Sequence, residues 1–186
     1  FKLAEGDVNK DTASKERYTT SNGASDLFLT ASSFYGQIYR RSFYYQGEVA
    51  EYGAPRNDVF FRKNDLGEKI RKLYRIPQEK GIVLYAPTYR SMTGDDFEKY
   101  NPDWESILAT LRERFGKEYV VVYKLHHYMQ KLVLEKGLYE QAVEATFYPD
   151  MQELLVAADI VITDYSSLMW DFSLQRRPVF LYQNDE

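Results

Sequence analysis

From about residue 26 onward, short apolar runs alternate with amphipathic stretches. Leu27-Phe28-Leu29-Thr30 predicts a strand, and Ser32 or Ser33 is placed to cap a helix running to about residue 43. Residues 47–52 predict a second strand, broken by Gly53-Ala54-Pro55-Arg56-Asn57-Asp58, where Asn or Asp can cap the next helix. A charged amphipathic helix is expected over 64–75. Ile82-Val83-Leu84-Tyr85 and Tyr119-Val120-Val121-Val122-Tyr123 are continuous apolar runs, the pattern of strands covered on both faces. Between them Trp104, Ile107, Leu108 and Leu111 recur at helical spacing. A helix to about residue 136, a short strand at 145–148, a helix over 150–158, a strand at 160–163, a helix opening at 164–167 and a last strand at 178–182 complete the series.

Strands separated by helices of this length imply right-handed crossovers, a mainly parallel sheet and helices on both faces. The predicted fold class is therefore α/β, a doubly wound parallel sheet. Residues 1–25 are rich in Asp, Asn, Lys, Ser and Thr without apolar periodicity and are expected to form a polar loop or linker, the remnant of a preceding domain. The folded domain is expected over 26–186. The chain opens on Phe1-Lys2-Leu3 without an initiator methionine and stops just past a predicted strand, which suggests a piece of a longer protein.

Composition narrows the function classes. With 186 residues, 44% of them hydrophobic and a net charge of −4, the chain can bury a core and has no broad basic surface, so nucleic acid is not an expected partner. The absence of cysteine removes disulfides, thiolate nucleophiles and cysteine-ligated zinc, and is compatible with a cytoplasmic location. No apolar run reaches the roughly 20 residues needed to cross a bilayer, so any membrane contact is expected to be peripheral. P-loop, GxGxxG and GxSxG signatures do not occur, which leaves kinases, dinucleotide enzymes and α/β-hydrolases without their markers.

In open parallel sheets ligands bind beyond the carboxyl ends of the strands, where the strand order reverses. Three polar clusters follow predicted strands directly and should share one edge: Thr88 with Arg90, Lys124 with His126, and Asp164 with Ser166 and Ser167. The last offers hydroxyls and unpaired N–H groups at a helix start, suited to phosphate oxygens; a simple N-cap is the competing reading. Asp171, one turn on, faces either the ligand or solvent. Arg90 and Lys124 would bring charge to a diphosphate. Of the two histidines, His126 and His127, at most one should act, as a hydrogen-bond donor or proton carrier near neutral pH; neither has a second ligand at metal-site spacing, so no metal is expected. The Tyr-rich stretch over 34–45 reads as core and amphipathic surface rather than a base-stacking platform.

Gly53-Ala54-Pro55-Arg56-Asn57-Asp58, Tyr85-Ala86-Pro87-Thr88-Tyr89-Arg90, Lys124-Leu125-His126, and Ala158-Asp159-Ile160-Val161-Ile162-Thr163-Asp164-Tyr165-Ser166-Ser167 through Asp171-Phe172 and Arg177-Pro178-Val179 together resemble the CDP-glycerol glycerophosphotransferase family. The resemblance spans roughly residues 26–185. It implies a GT-B architecture of two Rossmann-like domains, of which this chain matches the donor-binding half. It further implies transfer of glycerol phosphate from CDP-glycerol to a hydroxyl of a lipid-linked polymer at the inner membrane face, with release of CMP and no cofactor. By that likeness His126 lies beside the donor diphosphate, Asp164, Ser166 and Ser167 form the phosphate-binding turn, Asp171 is a donor-site carboxylate, and Thr88 and Arg90 border the pocket.

The family's other histidine sits in a Trp-His-Gly-type motif that this sequence lacks, so the chain by itself is expected to be inactive and to work with an N-terminal GT-B domain. Tyr89, Lys124 and His127 stand where the family often carries tryptophan, arginine, and proline or tyrosine, which leaves glycerol and ribitol both open as the polyol. A sugar-nucleotide glycosyltransferase or epimerase of the same architecture, and a non-catalytic nucleotide-binding scaffold, are the rival readings.

Overall fold

The computed structural model describes residues 16, 20, 24–88, 102–126 and 140–183. The chain divides into two compact units, Phe1–Asp58 and Val59–Glu186.

In the first unit, β1 (Leu27–Leu29) and β2 (Glu48–Ala50) run parallel and are joined by α1 (Ser33–Ser42). Ser32 occupies the N-cap, although its side chain makes no capping bond. Gly36 is buried on α1, and a Cβ there would lie 3.3 Å from Val49 Cγ1, so the missing side chain lets the helix rest against β2. The Phe28 ring packs on Tyr39 at 4.7 Å and on Tyr45 at 4.3 Å between centroids, and the Tyr45 hydroxyl donates to Ser25 O. The aromatic stretch supplies this unit's core, as its pattern predicts.

A 3-10 helix (Pro55–Phe61) follows β2, with proline at its first position, where no N–H is needed. The expected Asn or Asp cap within 53–58 is therefore not the device that starts the next α-helix. In the second unit Asn64 does that work. Its amide donates to Val59 O and Arg62 O while its oxygen accepts from Leu66 N, launching α2 (Leu66–Tyr74).

The second unit is built on a five-stranded, all-parallel sheet: β3 (Gly81–Tyr85), β4 (Tyr119–Tyr123), β5 (Val143–Glu144), β6 (Ile160–Thr163) and β7 (Val179–Leu181), in the order β5-β4-β3-β6-β7. The chain builds outward from β3 to β5, then returns to pair β6 with β3 and builds the other way. That return makes the gap between the ends of β3 and β6 a topological switch point. Successive residues of β3 serve opposite faces. Ile82 and Leu84 join Val122 and Val161 under Ile70 of α2, Leu154 and Leu155 of α4 (Met151–Ala157) and Phe172 of α5 (Leu168–Ser173). Val83 and Tyr85 join Val121, Tyr123, Ile160 and Ile162 under Trp104 and Leu111 of α3 (Trp104–Phe115). Helices on both faces account for the unbroken burial of β3 and β6.

Caps agree with the chemistry of the sequence. Asp103 accepts from Ser106 N and opens α3, which ends at Gly116 with φ 65°. Asp150 accepts from Gln152 N and Glu153 N and opens α4. At the other end of α4, Arg177 donates to Val156 O and Ala158 O, and Gln175 to Leu155 O, so the orphan carbonyls of that helix are met by side chains.

Two expectations change. The strand expected at 145–148 is a turn, and β5 occupies only Val143–Glu144 just before it. The helix expected to open at 164 begins at Leu168 and is six residues long. The helix expected to run to about 136 lies outside the described residues, as do Tyr89, Arg90 and His127.

Candidate functional site

The exits of β3 and β6 are stitched together across the switch point. Ala86 N donates to Ile162 O at 3.1 Å, Thr163 Oγ1 donates to Ala86 O at 2.7 Å, and Thr88 N donates to Asp164 Oδ1 at 2.8 Å. Asp164 is only 4% exposed. Its carboxylate therefore holds the loop after β3 in place.

Beside this seam lies a cavity of about 380 Å³, lined by Ala86, Pro87, Thr88, Lys124, Leu125, His126, Thr146, Met151, Ser166 and Leu168. Its walls come from the exits of β3, β4 and β6, the turn after β5, and the starts of α4 and α5. Four of the polar residues singled out from sequence, Thr88, Lys124, His126 and Ser166, meet here although up to 78 positions separate them along the chain. The volume falls in the range of small-molecule sites, which is about 300 to 1,000 Å³.

The turn at 145–148 forms one wall and is pinned from several sides. Ala145 N donates to Tyr123 O, Thr146 N to Glu144 Oε1 at 2.5 Å, and Leu125 N to Thr146 Oγ1 at 3.2 Å. Lys124 Nζ donates to Thr146 O at 2.7 Å and to Tyr148 O at 2.5 Å. Burial lowers the Lys124 pKa, and the Glu144 carboxylate opposes that shift. Two of the three ammonium hydrogens thus serve the protein's own backbone, so Lys124 braces the wall as well as lining the cavity. Behind the turn, the Tyr148 hydroxyl donates to Glu153, which Lys69 also grips at 2.7 Å.

The segment after β6 differs from a simple helix-start phosphate site. Leu168 N is taken by Ser166 Oγ at 3.4 Å, and Met169 N and Trp170 N close bonds to Ser166 O and Ser167 O. A six-residue helix spends its first N–H groups locally in this way and adds little dipole. The backbone N–H groups of Ser166 and Ser167 have no partner among the described residues. Ser167 has an exposed side chain that makes no capping bond. Asp171 accepts from Gln152 Nε2 at 3.3 Å, which ties α5 to α4, and it does not line the cavity.

Thr146 and Met151 are the lining residues that sequence reading missed. Thr146 falls inside the segment expected as a strand and Met151 inside the helix expected after it, so neither stands just past a predicted strand end, the position that singled out the other polar lining residues.

A second cavity of about 320 Å³ lies among Ile107, Leu111, Ile162 and Phe180. Its walls are mainly apolar and do not suit a diphosphate. Among the described residues no group of three or more acidic or histidine side chains is placed to hold a metal ion, and no helix is long and apolar enough to cross a membrane.

The family model described as CDP-glycerol:poly(glycerophosphate) glycerophosphotransferase matches residues 3–186. The teichoic acid poly(glycerol phosphate) polymerase of Bacillus subtilis is 33% identical over 165 residues, which cover 86% of this chain and 22% of that protein. The enzyme of the same description from Staphylococcus epidermidis is 30% identical over 175 residues, 92% of this chain and 24% of its own length. Among solved structures, the wall teichoic acid polymerase TagF, as a histidine-to-asparagine variant soaked with CDPG, superposes with a TM-score of 0.70 at 29% identity, covering 90% of this chain and 40% of that one. The chain thus spans about a quarter of the two curated relatives.

Proposed function

The chain belongs to the CDP-glycerol:poly(glycerophosphate) glycerophosphotransferase family, and on that premise we propose that it is the donor-binding half of an enzyme that moves glycerol phosphate from CDP-glycerol to a hydroxyl of a lipid-linked teichoic acid polymer. One observation carries the reading: polar residues from three separate strand exits converge on one cavity beside the switch point of a parallel sheet. The relatives named as polymerases and the TagF structure soaked with CDPG support the substrate class.

In the reaction, the acceptor oxygen attacks the phosphorus that carries glycerol, the bond from that phosphorus to the bridging oxygen breaks, CMP departs and the hydroxyl proton is lost. The catalytic requirement is to position the diphosphate and to neutralise charge on the leaving group. The Thr88 and Ser166 hydroxyls supply neutral donors, and His126 supplies a proton or a positive charge. Lys124 adds positive potential from the wall. The base that takes the hydroxyl proton belongs, in this reading, to a further domain on the acceptor side. No cofactor enters, and contact with the membrane is peripheral, at its cytoplasmic face.

Calorimetric titration of the natural protein with CDP-glycerol, CDP-ribitol, CMP and UDP-glucose tests this assignment. Saturable binding that is tightest for CDP-glycerol is the expected result. Tighter binding of UDP-glucose would move the protein to the sugar-nucleotide transferases, and binding of CDP-glycerol with no turnover on a lipid-linked acceptor would make it a scaffold.

A further inference from the structure

Thr146 lines the cavity and is 7% exposed, yet it belongs to none of the motifs that mark the site. Its hydroxyl is fixed on the acceptor side, because Leu125 N donates to Oγ1 at 3.2 Å. A threonine hydroxyl also carries one hydrogen to donate. That hydrogen has no acceptor among the described residues, and an unused donor at a buried position costs stability unless a ligand or water takes it. The backbone around Thr146 is held unusually firmly: Lys124 grips its carbonyl, Glu144 its N–H, and Leu125 its side chain. Three anchors on one residue keep the hydroxyl aimed with little freedom to turn away, which is the arrangement expected of a preorganised ligand contact.

We propose that Thr146 is a ligand-contact residue of this cavity, donating its hydroxyl hydrogen to a phosphoryl oxygen of the bound nucleotide donor, with Lys124 as the positioning residue that holds it there. The inference rests on the donor-binding reading for the identity of the nucleotide. An anionic oxygen is the fitting acceptor because the same cavity is lined by the Lys124 ammonium, the His126 imidazole and the Thr88 and Ser166 hydroxyls, all able to donate.

The experiment compares wild-type protein with Thr146→Val and Thr146→Ser, titrating CDP-glycerol, pyrophosphate and cytidine. Valine keeps the shape and removes the hydroxyl; serine keeps the hydroxyl. Thr146→Val should weaken CDP-glycerol and pyrophosphate about ten- to a hundredfold, the loss expected for a hydrogen bond to a charged oxygen, and leave cytidine unchanged. Thr146→Ser should stay within about threefold of wild type. Wild-type affinity for CDP-glycerol in a folded Thr146→Val protein would overturn the contact while leaving the donor reading intact. Equal loss of cytidine would mean a collapsed cavity and would also overturn the contact. If wild type takes a different nucleoside diphosphate in place of CDP-glycerol, and Thr146→Val weakens it, the donor reading fails and the contact stands. No binding of pyrophosphate or of any nucleotide by folded wild type overturns both.

Discussion

Replacing Asp164 with alanine removes the acceptor that holds the exit of β3. The carboxylate is 4% exposed and takes the Thr88 N–H at 2.8 Å. A hydrogen bond to a charged group contributes about 1.5 to 3 kcal/mol, and because Thr88 itself is exposed, water can reclaim its N–H, which favours the lower end of that range. A loss of about 2 kcal/mol at about 4 °C per kcal/mol, the scale for a domain of this size, lowers the melting temperature by about 8 °C. Asp164→Asn keeps a neutral acceptor and should fall by about 2 to 4 °C. The functional consequence is larger than the thermal one. The Ala86-Pro87-Thr88 wall would have to be ordered on binding, and fixing one or two residues at about 1 to 2 kcal/mol each weakens the donor by roughly thirtyfold. Thermal denaturation and calorimetry on the same samples read both numbers. An Asp164→Ala protein that melts within 1 °C of wild type and binds CDP-glycerol within twofold would refute the reasoning.

Three further predictions address the scaffold around the cavity. Arg177→Ala orphans Val156 O and Ala158 O at the far end of α4 and should cost about 1 to 2 kcal/mol in urea denaturation, with donor affinity unchanged. Phe172→Ala empties a site that is 0% exposed beneath β6 and should cost about 3 to 5 kcal/mol, measured the same way. The Lys69 hydrogen bond, followed by that of Tyr148, holds the Glu153 carboxyl below its ordinary pKa. The folded state therefore gains stability above the usual glutamate pKa and loses that gain as pH falls through the depressed value; melting curves of Glu153→Gln should show a flatter acid limb than wild type.

The parallel sheet was legible because β3, β4 and β6 are unbroken apolar runs, and burial on both faces leaves no other reading for such runs between helices. The place of the site followed from topology, since Thr88, His126 and Ser166 each stand just past a strand. The contacts that Asp164, Lys124 and Asp171 make within the protein were not legible. A carboxylate or ammonium just past a strand end looks the same in sequence whether it meets a ligand or a backbone group. Here Asp164 meets Thr88 N, Lys124 meets two carbonyls, and Asp171 meets Gln152 of another helix. The turn at 145–148 was misread for a related reason. Its Thr, Phe and Tyr favour strands locally, but the long-range bonds from Lys124 and Leu125 outweigh that preference.

The central claim is that the donor sits in the cavity at the switch point, and methyl NMR reports on that location directly. With threonine, methionine, leucine and isoleucine methyls labelled in the natural protein, CDP-glycerol should shift the signals of Thr88, Thr146, Met151, Leu125 and Leu168 in a saturable way. The methyls of Ile107 and Leu111, which line the apolar cavity under α3, should stay in place. Shifts confined to Ile107 and Leu111, with the switch-point methyls unmoved at saturating CDP-glycerol, would contradict the account.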